Sequence, residues 1–156
     1  MSFSAEIKHL IISEPIARTC CKKSFLTGVL AAKGFCEGTQ ISLSIAGSQT
    51  IAFVKSIVKE CYGKEATVFH DRSTGIASTL SFSSKKAAEL IEMIEDGASE
   101  SELFGEVCDK CESRFLRGIF LACGRMTDPQ KQYLLEFSAG ERTDVVERLL
   151  WRWDMA

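Results

Sequence analysis

One segment of this chain occurs twice, and that repeat limits the folds open to it more than any other feature. Phe25-Leu26-Thr27-Gly28-Val29-Leu30-Ala31-Ala32-Lys33-Gly34 returns ninety residues later as Phe115-Leu116-Arg117-Gly118-Ile119-Phe120-Leu121-Ala122-Cys123-Gly124. Extended back to Cys21 and Cys111, six of fourteen positions are identical, where unrelated segments would share roughly one. Both copies are apolar on nearly every side, the pattern of a buried helix. Each carries a glycine and then an alanine four residues on, Gly28 with Ala32 and Gly118 with Ala122. Residues four apart share one helix face, and two such faces without bulk let backbones approach closely. The spacing predicts two central helices packed on each other about a pseudo-two-fold axis.

The flanking sequence repeats as well. Helix one spans about Thr19–Lys33 and stops at Gly34. Gln40–Ala46 alternates apolar and polar residues, as a half-buried strand does. Ile51–Tyr62 reads as an amphipathic helix closed by Gly63. Ala66–Asp71 and Ile76–Phe82 read as a hairpin, turning through Arg72-Ser73-Thr74-Gly75. Ser84 caps a helix running to Glu95. After the second central helix come a turn at Thr127-Asp128-Pro129, a strand over Gln132–Phe137 and an amphipathic helix over Thr143–Trp153. The expected class is therefore α+β: paired central helices under an antiparallel sheet, within one domain over 1–156. Repeat one covers about 19–96, a linker 97–109, and an incomplete repeat two about 110–156. A short opening helix over residues 4–12, capped by Ser4 with Ile7, Leu10 and Ile11 on one stripe, precedes them and ends before Pro15.

Composition narrows the function classes. A net charge of −2 and a pI near 5.8 argue against gripping nucleic acid through bulk charge. Seven cysteines, an odd number, without a secretory h-region favour a reduced, cytoplasmic protein over a disulfide scaffold. No apolar run is long enough to span a membrane.

The helix–strand–helix–hairpin–helix order, duplicated around a Leu-x-Gly helix, resembles the LAGLIDADG homing-endonuclease fold. It resembles more closely the N-terminal part of the WhiA family of bacterial sporulation and cell-division regulators. The residues that carry this are Met1-Ser2-Phe3-Ser4, Cys20-Cys21-Lys22-Lys23 leading into Phe25–Gly34, and Arg114–Ala122. The most specific stretch is Gly124-Arg125-Met126-Thr127-Asp128-Pro129, leading to Tyr133–Phe137. The resemblance implies a nuclease-derived scaffold without catalysis, and a helix-turn-helix domain farther on through which DNA is bound. It also implies a cytoplasmic, nucleoid-associated setting. The chain ends before any such domain, so a fragment or a shortened member is expected. The incomplete second repeat leaves a sheet edge unpaired, which invites a protein partner or a homodimer.

Three groups of residues bear on chemistry. Active LAGLIDADG enzymes hold divalent metal with an acid just before each helix-ending glycine, and those positions here are Lys33 and Cys123. An ammonium cannot ligate Mg²⁺, and a thiol is too soft for it. Glu37 and Asp128 lie beyond the helix ends and are not equivalent to each other. No catalytic residue and no cofactor is therefore expected; a divalent-metal endonuclease is the alternative. Lys64, His70 and Arg72 are the candidates for touching a DNA backbone, at the hairpin ends. Cys20, Cys21, Cys108 and Cys111 form the one candidate zinc set, because Cys21 and Cys111 hold equivalent places in the repeat. Packing is favoured over zinc there, since adjacent cysteines point in different directions. Trp151 and Trp153 close the chain, with Trp153 expected to pack inward.

Overall fold

Pro15 separates the first two helices, because the residue before a proline is pushed out of the α region. Glu14 accordingly has φ −90° and ψ 112°. The structure is a computed structural model that describes residues 2–70, 77–98, 103, 108–127, 130, 134–138, 140 and 143–150. The expected turn at Arg72, most of the linker, Asp128, Tyr133, Trp151 and Trp153 lie outside the described residues.

The elements run α1 (Phe3–Ser13), α2 (Thr19–Lys33), β1 (Gly34–Glu37), β2 (Gln40–Ala46), α3 (Ser48–Tyr62), β3 (Thr67–His70), β4 (Ala77–Ser83) and α4 (Lys85–Glu95). They continue with α5 (Cys111–Cys123), β5 (Gly124–Met126), β6 (Leu135–Phe137) and α6 (Thr143–Leu150). Four antiparallel strands form one sheet in the order β1-β2-β4-β3, and β5 pairs with β6 in a second. This is the expected α+β arrangement. No described helix is long and apolar enough to cross a membrane.

Two short strands do not show in the sequence pattern. In both copies the chain leaves the central helix at its glycine and becomes a strand at once, β1 after α2 and β5 after α5. Gly34 and Gly124 adopt extended backbone, φ −68° and −83°, rather than the left-handed cap. A Cβ on Gly34 would stand 2.5 Å from the Leu30 carbonyl oxygen. One on Gly124 would enter the Phe120 ring. Glycine is required here for space, not for a positive φ.

The opening helix also departs from expectation. Ser2, not Ser4, is its N-cap, accepting from the Ala5 amide at 3.1 Å. Ser4 instead donates to the Met126 carbonyl at 2.8 Å and accepts from the Met126 amide at 2.7 Å, tying α1 to β5. Leu10 is 63% exposed. It lines an open apolar groove with Ile7, Leu116, Phe120 and Phe137 rather than entering the core.

Glu14 makes the other tie, reaching Arg117 Nη1 at 2.7 Å and Arg114 Nη2 at 3.4 Å. The Arg117 hydrogen bond and charge, followed by the charge of Arg114, hold the Glu14 carboxyl below the ordinary carboxylate range. A depressed folded value stabilises above the unfolded carboxylate pKa, about 4.3. That contribution is lost as pH falls through the lowered folded value. Because the pair is exposed, the effect is small. Glu14→Gln is expected to lower the urea midpoint slightly at pH 7 and to match the parent once its carboxyl is protonated. An equal deficit at both pH values would show that the charge is not involved.

Among the described residues the core has two clusters. The larger joins Phe25, Leu26, Val29 and Leu30 of α2 to Ile41, Leu43 and Ile45 of β2, Leu80 and Phe82 of β4, and Val54 and Val58 of α3. The smaller gathers Ala31, Ala32, Phe115, Ile119 and Cys123 with Ile94 of α4 and Val146, Leu149 and Leu150 of α6. Arg148 donates to the Ile94 carbonyl at 2.7 Å, placing a cation at the end of α4 where the helix dipole favours one.

Candidate functional site

The helix pair is the natural place for chemistry, and its middle is built on glycine. A Cβ on Gly28 would strike the Phe115 carbonyl oxygen and lie 3.0 Å from the Ile119 nitrogen. A Cβ on Gly118 would strike the Phe25 carbonyl oxygen and lie 3.2 Å from the Val29 nitrogen. Phe25 and Phe115 are equivalent in the repeat, as are Val29 and Ile119, so the two contacts are one contact repeated by the pseudo-two-fold rotation. One turn on, Ala32 is fully buried and Ala122 partly buried.

At the carboxyl ends of these helices stand Lys33 and Cys123. Cys123 is buried, and burial pushes its thiol up. The charges of Lys33 and Lys8 and the Ser138 amide pull the other way. Lys8 comes from α1 and has no counterpart in the sequence reading of the site. Burial lowers its pKa, as does the charge of Lys33, while Cys123 opposes them. Its ammonium also sits 5.8 Å from the centre of the Phe120 ring. The helix ends thus hold two cations and a buried thiol, a poor set for Mg²⁺ or Mn²⁺, which take hard oxygen ligands. Glu37 is exposed in β1, paired with Gln40 across the hairpin.

The face of the sheet turned away from the helices carries Phe35, Glu37, Gln40, Ser42, Ser44, Thr67, Phe69, Thr79 and Ser81. Among the described strand residues it has no lysine or arginine. Phe35 is 60% exposed and Phe69 58%. Gln40 hydrogen-bonds Ser81 across the strands. Of the three residues expected near DNA, His70 pairs with Ser78 on the opposite face, Nδ1 to Oγ 2.8 Å. Lys64 is exposed in the loop before β3, and Arg72 lies outside the described residues. Lys64 and His70 thus stand beyond the start and at the end of β3, respectively.

The cysteines behave otherwise than expected. Adjacent helical side chains leave the axis about 100° apart, which argued against Cys20 and Cys21 sharing a point. The structure overturns that objection: the sulfurs of Cys20, Cys21, Cys108 and Cys111 all lie within 4.8 Å of one another. Cys20 and Cys21 occupy the first turn of α2, and Cys108 and Cys111 the turn leading into α5, with the Cys21 and Cys108 sulfurs 3.4 Å apart. The Lys110 amide, with Cys21, Arg18 and Cys111, pulls the Cys108 thiol down to about 6 against its partial burial. Burial, then the Cys108 hydrogen bond, pushes Cys21 up to about 12.

Comparison with known proteins agrees with this architecture. Residues 112–152 match the family model of the WhiA LAGLIDADG-like domain. The chain is 25% identical over 167 residues to a probable cell division protein WhiA of Caldicellulosiruptor saccharolyticus, covering 92% of this chain and 50% of that protein. The Caldicellulosiruptor bescii protein of the same description is also 25% identical, with the same coverage. The chain thus spans about half the length of the curated relatives it matches. Among solved structures, the N-terminal LAGLIDADG domain of DUF199/WhiA superposes with a TM-score of 0.68 at 24% identity, over 97% of this chain and 75% of that one. Full-length DUF199/WhiA from Thermatoga maritima gives 0.69 at 21%, over 98% and 51%. I-DmoI, solved in complex with DNA and Mn, gives 0.52 at 12%, over 86% and 78%. The fold is that of a LAGLIDADG domain, and the resemblance to WhiA drawn from the sequence holds.

Proposed function

We propose that this WhiA-type LAGLIDADG-like domain is a non-catalytic scaffold within DNA-associated regulation of cell division, the fold of a nuclease kept without its reaction. The observation that carries the reading is the pair of helix ends. Where two acids would hold divalent metal stand Lys33 and Cys123, with Lys8 beside them. Repulsion by two ammonium groups adds to the lack of oxygen ligands.

The outer face of the sheet supports the second half of the proposal. Phosphate neutralisation normally dominates affinity for DNA; the described residues on the outer face of the four-stranded sheet include no lysine or arginine, and the exposed Arg125 of β5 stands across from Glu136 of β6. Hydroxyls flanked by Phe35 and Phe69 suit a protein surface better than a duplex backbone. Contact with DNA then falls to a helix-turn-helix domain of the larger regulator, and this domain positions it or binds a protein partner.

The test is incubation of the 156-residue chain with supercoiled plasmid and Mg²⁺ or Mn²⁺. No nicking above a metal-free control is expected. Specific nicking that chelator abolishes would overturn the proposal in favour of a divalent-metal endonuclease.

A further inference from the structure

We propose that Cys20, Cys21, Cys108 and Cys111 form a structural tetrathiolate site for one Zn²⁺ ion, clasping the amino ends of the two central helices. Zinc–sulfur bonds of about 2.3 Å in a tetrahedron set sulfur–sulfur edges near 3.8 Å. Here Cys21 and Cys108 are 3.4 Å apart, Cys108 and Cys111 3.7 Å, and every pair lies within 4.8 Å. Only a small adjustment separates that cluster from a coordination sphere. Packing does not account for it. Buried cysteines act as small apolar groups with weak hydrogen bonds, which gives no reason to collect four sulfurs from segments 87 residues apart.

The surroundings suit thiolate ligands. The Cys108 amide donates to the Cys111 sulfur at 3.3 Å, and the Cys111 amide donates to the Cys108 carbonyl at 3.2 Å, closing a tight Cys-x-x-Cys knuckle. The Lys110 amide and the Arg18 guanidinium both hydrogen-bond the Cys108 sulfur. Such outer donors orient metal-bound sulfurs and spread their charge. Cys21 and Cys111 are buried, whereas Cys20 and Cys108 are half-exposed and leave a way in for the ion. Four protein sulfurs fill the tetrahedron, so no position stays open for a substrate, and the role is structural. Sulfur donors select zinc over the hard cations of the parent fold. Binding sends the thiol protons to solvent.

Reduced, metal-free protein titrated with Zn²⁺ against a chromophoric chelator is expected to take up one ion per chain. Zinc should then protect Cys20 and Cys108, which are half-exposed, from alkylation, while Cys36 and Cys61 stay reactive and the buried Cys123 is unreactive with or without the ion. Co²⁺ in place of zinc is expected to give intense thiolate-to-metal charge transfer and the d–d bands of a tetrahedral ion. Changing an outer donor costs about 10–100-fold in metal affinity, so losing a ligand through Cys20→Ser or Cys108→Ser should exceed about 100-fold. Both positions are half-exposed, so these variants fold where Cys21→Ser or Cys111→Ser would disturb the core. Cys36→Ser and Cys61→Ser should change nothing. Failure to take up a stoichiometric ion, an octahedral cobalt spectrum, or equal zinc affinity in Cys108→Ser would overturn the site. So would preferential loading with iron.

Discussion

Gly28→Val is expected to leave no folded domain at room temperature, and Gly118→Val the same. The added atoms have nowhere to go: the first of them already strikes the backbone carbonyl of Phe115 or of Phe25. Side chains can rotate away, but a helix backbone moves only by separating the pair. Overpacking a core ordinarily costs about 1–3 kcal/mol, occasionally more. Here separation also strips contact from Phe25, Val29, Phe115 and Ile119, so the cost should exceed that range. A domain's whole stability is about 5–15 kcal/mol. Even Gly28→Ala should lower the urea midpoint severely. Gly38 provides the control. Its φ is +64° with open space around it, so Gly38→Ala should cost only about 1–2 kcal/mol for the left-handed backbone. If Gly28→Ala proved as mild as Gly38→Ala, the close approach of the helices would be refuted.

Truncating the two equivalent phenylalanines should come next in severity, and unequally. Phe25 is 1% exposed and Phe115 0%, and removing a buried phenylalanine costs about 3–5 kcal/mol. Phe25 also packs edge-on against Phe53, ring centres 5.5 Å apart at 88°, worth roughly 0.5–1.5 kcal/mol more. Its cluster spans α2, α3, β2 and β4, whereas that of Phe115 rests on α4 and α6. Phe25→Ala should therefore be the more destabilising in urea melts followed by circular dichroism. The reverse order would mean that the second cluster carries more of the core than its size suggests.

How much of this shows in the sequence depends on the range of the interaction. The helix pair is legible because close backbone contact demands glycine at fixed places, and Gly28 and Gly118 stand there twice. β2 and β4 are legible because one face is buried, so Ile41, Leu43 and Ile45 must alternate with polar residues. β1 and β5 are only four and three residues long, too short for alternation to emerge, and Phe35 breaks it by facing solvent. Ser2 and Ser4 are equally good caps on paper. What separates them is Met126, 122 residues from Ser4. Lys8 reaches the helix ends only because α1 packs across them. The cysteine cluster is half legible: the motif shows, but its convergence depends on how α2 and α5 meet at their first turns.

The reciprocal contact at Gly28 and Gly118 also bears on how the domain is made. The two glycines are ninety residues apart, and a ribosome adds about 5–20 residues per second. For roughly 5–20 s after α2 emerges, its bare face has no partner. Contacts of such wide sequence separation slow folding, because loop closure precedes the reward. During that interval the nascent first half presents a glycine-lined apolar groove, and any other helix with small residues four apart, including α2 of a neighbouring nascent chain, competes for it.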